Sequence, residues 1–111
     1  MIGSLGGVMT ENNLSFIKEL RVNYMKILYR LTKGDTKRTV SEPDIVKLLV
    51  SEYYADISDD LAVKRFAENI GRISNYFADK GCVITRPIGL GSVDQLVNIT
   101  SYGIDMVEKL S

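Results

Sequence analysis

The sequence contains no histidine and only one cysteine, Cys82. Without histidine the chain lacks the commonest metal ligand and the commonest general base at neutral pH. A lone cysteine forms no internal disulfide and, with no C-x-x-C partner, builds no zinc or redox site, so Cys82 reads as a small core residue and no metal is expected. No stretch approaches the roughly 20 apolar residues that cross a bilayer, and the N-terminus shows neither the basic region nor the apolar block of a signal peptide. A cytoplasmic protein without membrane contact is the expectation. Net charge is missing too, since 14 Lys and Arg residues balance 14 Asp and Glu residues. Taken alone, that balance argues against a polyanionic partner.

What is present fits one folded domain. A chain of 111 residues holds a single hydrophobic core, and 45% apolar with 25% charged residues is a globular composition. The charges are unevenly spread. Residues 13–40 carry seven Lys or Arg against Glu19 and Asp35, and residues 63–92 carry five against Glu68 and Asp79. Between them, residues 41–62 hold six acids against Lys47 alone. A neutral total can therefore conceal a positive face.

Residues 1–12 include three glycines and no periodic apolar pattern, so they are expected to be a flexible segment, with Met9-Thr10-Glu11 reading as an alternative start and the folded domain covering 13–111. From Leu14 to Leu31 the apolar residues Ile17, Leu20, Tyr24, Ile27, Leu28 and Leu31 share one helical face. Val22 and Met25 lie off that stripe, as a candidate partner surface. Gly34 ends this first helix. Ser41 begins a second, capping Asp44 with Pro43 in the first turn and Val40 and Ile45 spaced as a hydrophobic staple. The second helix is expected to reach Tyr53 and to bury Ile45, Leu48, Leu49 and Tyr53.

Ser58 is read as the cap of a third helix over 58–80, with Asp59 and Asp60 at its positive end. Val63, Phe66, Ile70, Ile73 and Phe77 fall on its inner side; Lys64, Arg65, Glu68, Arg72 and Asn75 fall on the outer. Gly81 is suited to its C-terminus. The period then changes. Cys82-Val83-Ile84-Thr85 and Gln95 to Ile99 have strand patterns, and the turn-forming Arg86 to Ser92 between them makes a β-hairpin with a long loop. A last helix starts at Thr100 or Ser101 and uses Ile104, Val107 and Leu110.

This mainly α order, with one small hairpin, resembles the winged helix-turn-helix superfamily over about Leu14 to Leu110. The local likeness is carried by Ser74-Asn75-Tyr76-Phe77-Ala78-Asp79-Lys80-Gly81-Cys82-Val83-Ile84, where a long amphipathic helix stops at a charged residue plus glycine before the first strand of a wing. Ile99-Thr100-Ser101-Tyr102-Gly103-Ile104-Asp105 is similar to the junction that ends such wings. The resemblance implies binding of double-stranded DNA by the third helix, in a transcriptional regulator or nucleoprotein adaptor. Arg65 and Arg72 would take guanine, Asn69 or Asn75 adenine and Lys64 a phosphate, with Arg86 at the wing's base reaching the backbone or minor groove. The cationic outer side of the first helix would flank the duplex. A homodimer is expected, because doubling the positive faces multiplies phosphate contacts.

Glu68 in the middle of the reading face, acids at the start of the second helix, and the apolar wing residues Ile88, Leu90 and Val93 suit an alternative, a winged-helix module for protein–protein association without DNA. An enzyme is not expected. Gly89-Leu90-Gly91-Ser92-Val93-Asp94 opens like a dinucleotide fingerprint but lacks its third glycine and sits in a hairpin, and the adjacent Asp59 and Asp60 point apart on a helix. No cofactor and no small-molecule substrate are implied.

Overall fold

The computed structural model describes residues 2–110, with side chains described from Leu14 onward. The elements are α1 (Ile2–Thr32), β1 (Val40–Ser41), α2 (Glu42–Glu52), α3 (Asp60–Asp79), β2 (Val83–Pro87), β3 (Gln95–Ile99) and α4 (Ser101–Leu110). The protein is thus mainly helical with a small antiparallel sheet. α1 takes in the backbone of residues 2–12, expected as a flexible segment ahead of a helix from Leu14; residue 1 and the side chains of 2–13 lie outside the described residues.

The core is organised around α1, against which all the other helices and the sheet pack. Leu20, Tyr24, Ile27 and Leu28 are fully buried on the expected stripe. So is Met25, which corrects its reading as a partner surface. A helix enclosed from several directions buries a wider arc than the single stripe of a surface helix. Gly34 closes α1 at φ 70°, a left-handed conformation, with its N–H donating to the Tyr29 carbonyl.

Ser41 caps α2 as expected, its Oγ accepting from the Asp44 N–H at 3.3 Å. Ile45 and Leu49 are buried, and Leu48 is half-buried. The expected burial of Tyr53 is corrected, and its neighbour Tyr54 takes the core position. Because α2 stops at Glu52 and the chain turns at Tyr53, Tyr53 is 44% exposed while Tyr54 is buried against Phe66 and Phe16, with ring centroids 5.4 and 5.6 Å apart. Asn23 Nδ2 donates to the Tyr54 hydroxyl there, at 3.1 Å. In α3 the cap is Asp59, not Ser58: its carboxylate accepts from the Ala62 N–H at 3.1 Å. A carboxylate in that place both satisfies an orphan N–H and faces the positive helix end.

The hairpin forms in the expected place, with Thr85 opposite Val97 and Pro87 opposite Gln95. It is one part of a three-stranded sheet in the order β1-β3-β2, since Val40 and Ser41 pair with Val97 and Leu96. The Val40 staple position is therefore also a strand. Strand β3 is the central one, and Val97 and Ile99 carry its side chains into the core. At the far end, Thr100 joins α4 to the α3–β2 corner: its N–H donates to the Cys82 carbonyl and its hydroxyl donates to the Gly81 carbonyl. In α4, Val107 is buried, Ile104 is half-buried and Leu110 is 44% exposed.

Candidate nucleic-acid interface

α3 has a sharp division of faces. Phe66, Ile70, Ile73, Ser74 and Phe77 are buried, whereas Lys64, Arg65, Glu68, Arg72 and Asn75 are exposed and Asn69 is half-buried. The alternation follows from helical spacing: positions 64, 68, 72 and 75 recur three or four residues apart on one outer stripe. Among the described residues the single ion pair is Arg30 with Glu52, at 2.6 Å, between α1 and α2. Lys64, Arg65 and Arg72 thus face solvent without a paired carboxylate.

Lys64, Glu68, Gly71, Arg72 and Asn75 form one wall of a cleft of about 400 Å³. Glu42 from the start of α2 and Val93, Asp94 and Gln95 from the hairpin complete it. Gly71 lines the cleft with backbone alone, and a Cβ there would stand at an ordinary contact distance, 4.0 Å, from Glu42 Oε1. Arg65 and Asn69 lie on the adjoining flank, in a shallower hollow with Phe16, Ile57 and Leu61. Arg86 is exposed on the outer strand β2 and lines neither depression. Five of the six residues singled out from the sequence therefore belong to α3 and are brought together; Arg86 stands apart, beside the exposed Ile84 on the sheet face turned from the core.

The expected cationic flank of α1 is reduced. Arg30 is paired with Glu52, and the Arg21 guanidinium lies 3.7 Å from the centre of the Tyr76 ring, a cation–π contact. Lys18 and Lys26 remain exposed.

Two residues that the sequence reading did not place in the site organise it. Glu42 is only 3% exposed. Its Oε1 accepts from the Gln95 backbone N–H at 3.1 Å and its Oε2 from Gln95 Nε2 at 3.2 Å. The same Gln95 Nε2 donates to Asn75 Oδ1, also at 3.2 Å. Burial holds the Glu42 carboxyl above the ordinary carboxylate range; hydrogen bonds from Ser74 and Gln95 oppose that shift, and the nearby charge of Asp94 adds to it. Ser74 also meets the Tyr24 hydroxyl at 2.7 Å, and burial pushes that phenol above its usual range. A continuous polar line thus runs from α1 through Ser74, Glu42 and Gln95 to Asn75 at the surface. Glu42 reads in the sequence as an ordinary first-turn acid, and Gln95, 53 residues away, is joined to it only by the fold.

In the loop between β2 and β3, Leu90 is fully exposed and Val93 is 91% exposed. The loop is closed by the Ile88 N–H to the Asp94 carbonyl and by Gly91 at φ 76°. Among the described residues no group of three or more acidic or thiol side chains is placed to hold a metal ion, and no helix is long and apolar enough to cross a membrane. The chain matches no protein-family model, no curated protein and no solved structure.

Proposed function

We propose that this chain is a winged helix-turn-helix domain that binds double-stranded DNA, with α3 in the major groove and the β2–β3 hairpin as its wing. The element order and the sheet order β1-β3-β2 support this reading, because together they set a long amphipathic helix beside a hairpin loop with one side of that helix free. The observation that carries the proposal is the outer face of α3, where Lys64, Arg65 and Arg72 lie exposed without a carboxylate partner among amide side chains. Such a surface supplies point charges for phosphates and planar forks for base edges.

Glu68 and Asp94 oppose Lys64 and Arg72 within the cleft, so a monomer binds modestly and a homodimer reading two half-sites is the effective form. Regulation of transcription, or assembly of a nucleoprotein complex in the cytoplasm, is the use such a domain would have.

Fluorescence anisotropy with a mixed-sequence duplex tests the reading. Each phosphate neutralised, that of Lys64 first, lowers the affinity roughly 3.5-fold between about 50 and about 200 mM salt. Folded protein that binds no duplex at the lower salt refutes it. The second reading, association with another protein, is favoured by the exposed Leu90 and Val93 of the loop. An apolar interface of that kind responds weakly to salt and is lost when both residues become serine.

A further inference from the structure

We infer that the outer face of α3 selects guanine over adenine, because its hydrogen-bonding groups are mostly donors and the carbonyl oxygens of Asn69 and Asn75 are each drawn to a donor within the protein. The inference rests on the DNA-binding reading above and adds to it the class of base that is read.

The orientation of each amide follows from its partner's chemistry. Arg72 Nη1 lies 3.2 Å from Asn69, and a guanidinium has no acceptor, so the Asn69 atom facing it is Oδ1. The second amide is set by a longer chain. The Glu42 carboxylate accepts, so the Gln95 side-chain atom 3.2 Å from Oε2 is the NH₂ group. Its remaining hydrogen points to Asn75, which must answer with Oδ1, at 3.2 Å. Asn75 is therefore turned with its NH₂ group outward. This second amide is the firmer of the two, because Gln95 is clamped to Glu42 through both its backbone and its side chain.

Asparagine reads adenine by giving a hydrogen to N7 and taking one from N6, which needs Oδ1 beside Nδ2 on the base edge. Each Oδ1 here already accepts one hydrogen bond within the protein, which takes one of its two acceptor positions and draws it toward that partner. An outward NH₂ group instead suits guanine, whose major-groove edge presents two acceptors, O6 and N7. Arg65 and Arg72 offer the same polarity. Glu68 is the one exposed acceptor on this face, and it matches the N4 amino group of the cytosine paired with guanine. Guanine thus takes the place of the adenine that residue type alone suggests for Asn69 or Asn75. The same hydrogen bonds make Gln95 and Glu42 positioning residues for specificity, although neither need touch the DNA.

The test selects binding sites for the full chain from a pool of randomised duplexes, then measures the affinity of the best duplex by anisotropy with guanine and with 7-deazaguanine, which replaces N7 by a carbon. Guanine should dominate the positions facing α3, and 7-deazaguanine at those positions should weaken binding tenfold or more. Gln95→Ala frees the Asn75 amide to turn, and should admit adenine at one of these positions while the salt dependence stays unchanged. Selected sites dominated by adenine, or equal affinity for both guanine forms, would overturn the inference. Steeply salt-dependent binding without base preference would also overturn it while leaving DNA binding standing; no binding to any duplex would remove both.

Discussion

Alanine normally stabilises a helix that contains glycine, by about 1 kcal/mol. In this protein Gly103 and Gly71 should respond with opposite signs. Gly103 is buried in the first turn of α4. A Cβ built on it falls 2.2 Å from the Cys82 carbonyl oxygen, 3.0 Å from Ile99 Cγ1 and 3.1 Å from the Cys82 carbonyl carbon. Ordinary carbon–oxygen contacts begin near roughly 3.3 Å, so α4 must retreat by about 1 Å. It is not free to do so. The Thr100 N–H donates to that same Cys82 carbonyl at 3.0 Å, and Thr100 Oγ1 accepts from the Gly103 N–H at 3.1 Å.

Retreat would strain these bonds and draw Val107, 4% exposed, away from the core. Overpacking of this kind costs about 1–3 kcal/mol and a weakened hydrogen bond about 1 more, against the helix preference of about 1 in the other direction. The net expectation for Gly103→Ala is about 1–3 kcal/mol of destabilisation. For a domain of 111 residues, this is a fall of roughly 4–13 °C in Tm. Gly71→Ala meets only Glu42 Oε1 at 4.0 Å and should gain up to about 1 kcal/mol. Urea and thermal unfolding followed by far-UV circular dichroism reads both variants. A Gly103→Ala protein as stable as the parent would refute the close approach of α4 to the α3–β2 corner.

Three other outcomes are expected. Arg65→Ala combined with Arg72→Ala should leave unfolding within about 0.5 kcal/mol of the parent, as exposed positions generally do, while lowering DNA affinity; unchanged affinity would reject α3 as the reader. Glu42 has a raised folded pKa, so its contribution to stability is fully present below the ordinary carboxylate pKa and is lost as pH rises through the folded value. Urea midpoints of the parent and of Glu42→Gln, compared from acid to neutral pH, should converge at the acid end and separate in favour of the variant above it; a constant difference would contradict that assignment. Cys82 is 1% exposed, and burial raises its thiol pKa, so a thiol reagent should modify it slowly in native protein and rapidly in urea. Fast native labelling would show that the α3–β2 corner opens readily.

Much of the architecture was legible as local spacing. Ser41 before Glu42-Pro43-Asp44 starts a helix because cap, proline and acids each satisfy the first turn, and Phe66, Ile70, Ile73 and Phe77 are buried because helical geometry puts them on one side. The same geometry left Lys64, Arg65 and Arg72 on the other. These consequences depend only on residues within a turn or two of one another. Tertiary structure decided what spacing cannot express. Val40 becomes a strand only because Val97 stands opposite it, Met25 is buried only because elements arrive on both sides of α1, and Tyr54 replaces Tyr53 in the core because α2 stops one residue sooner than its apolar pattern. The outward amide of Asn75 depends on Gln95 and Glu42, whose meeting is a product of the sheet. The sequence by itself determined which residues α3 could offer to a partner; the packing of the hairpin against α2 decided which of their atoms are free to be offered.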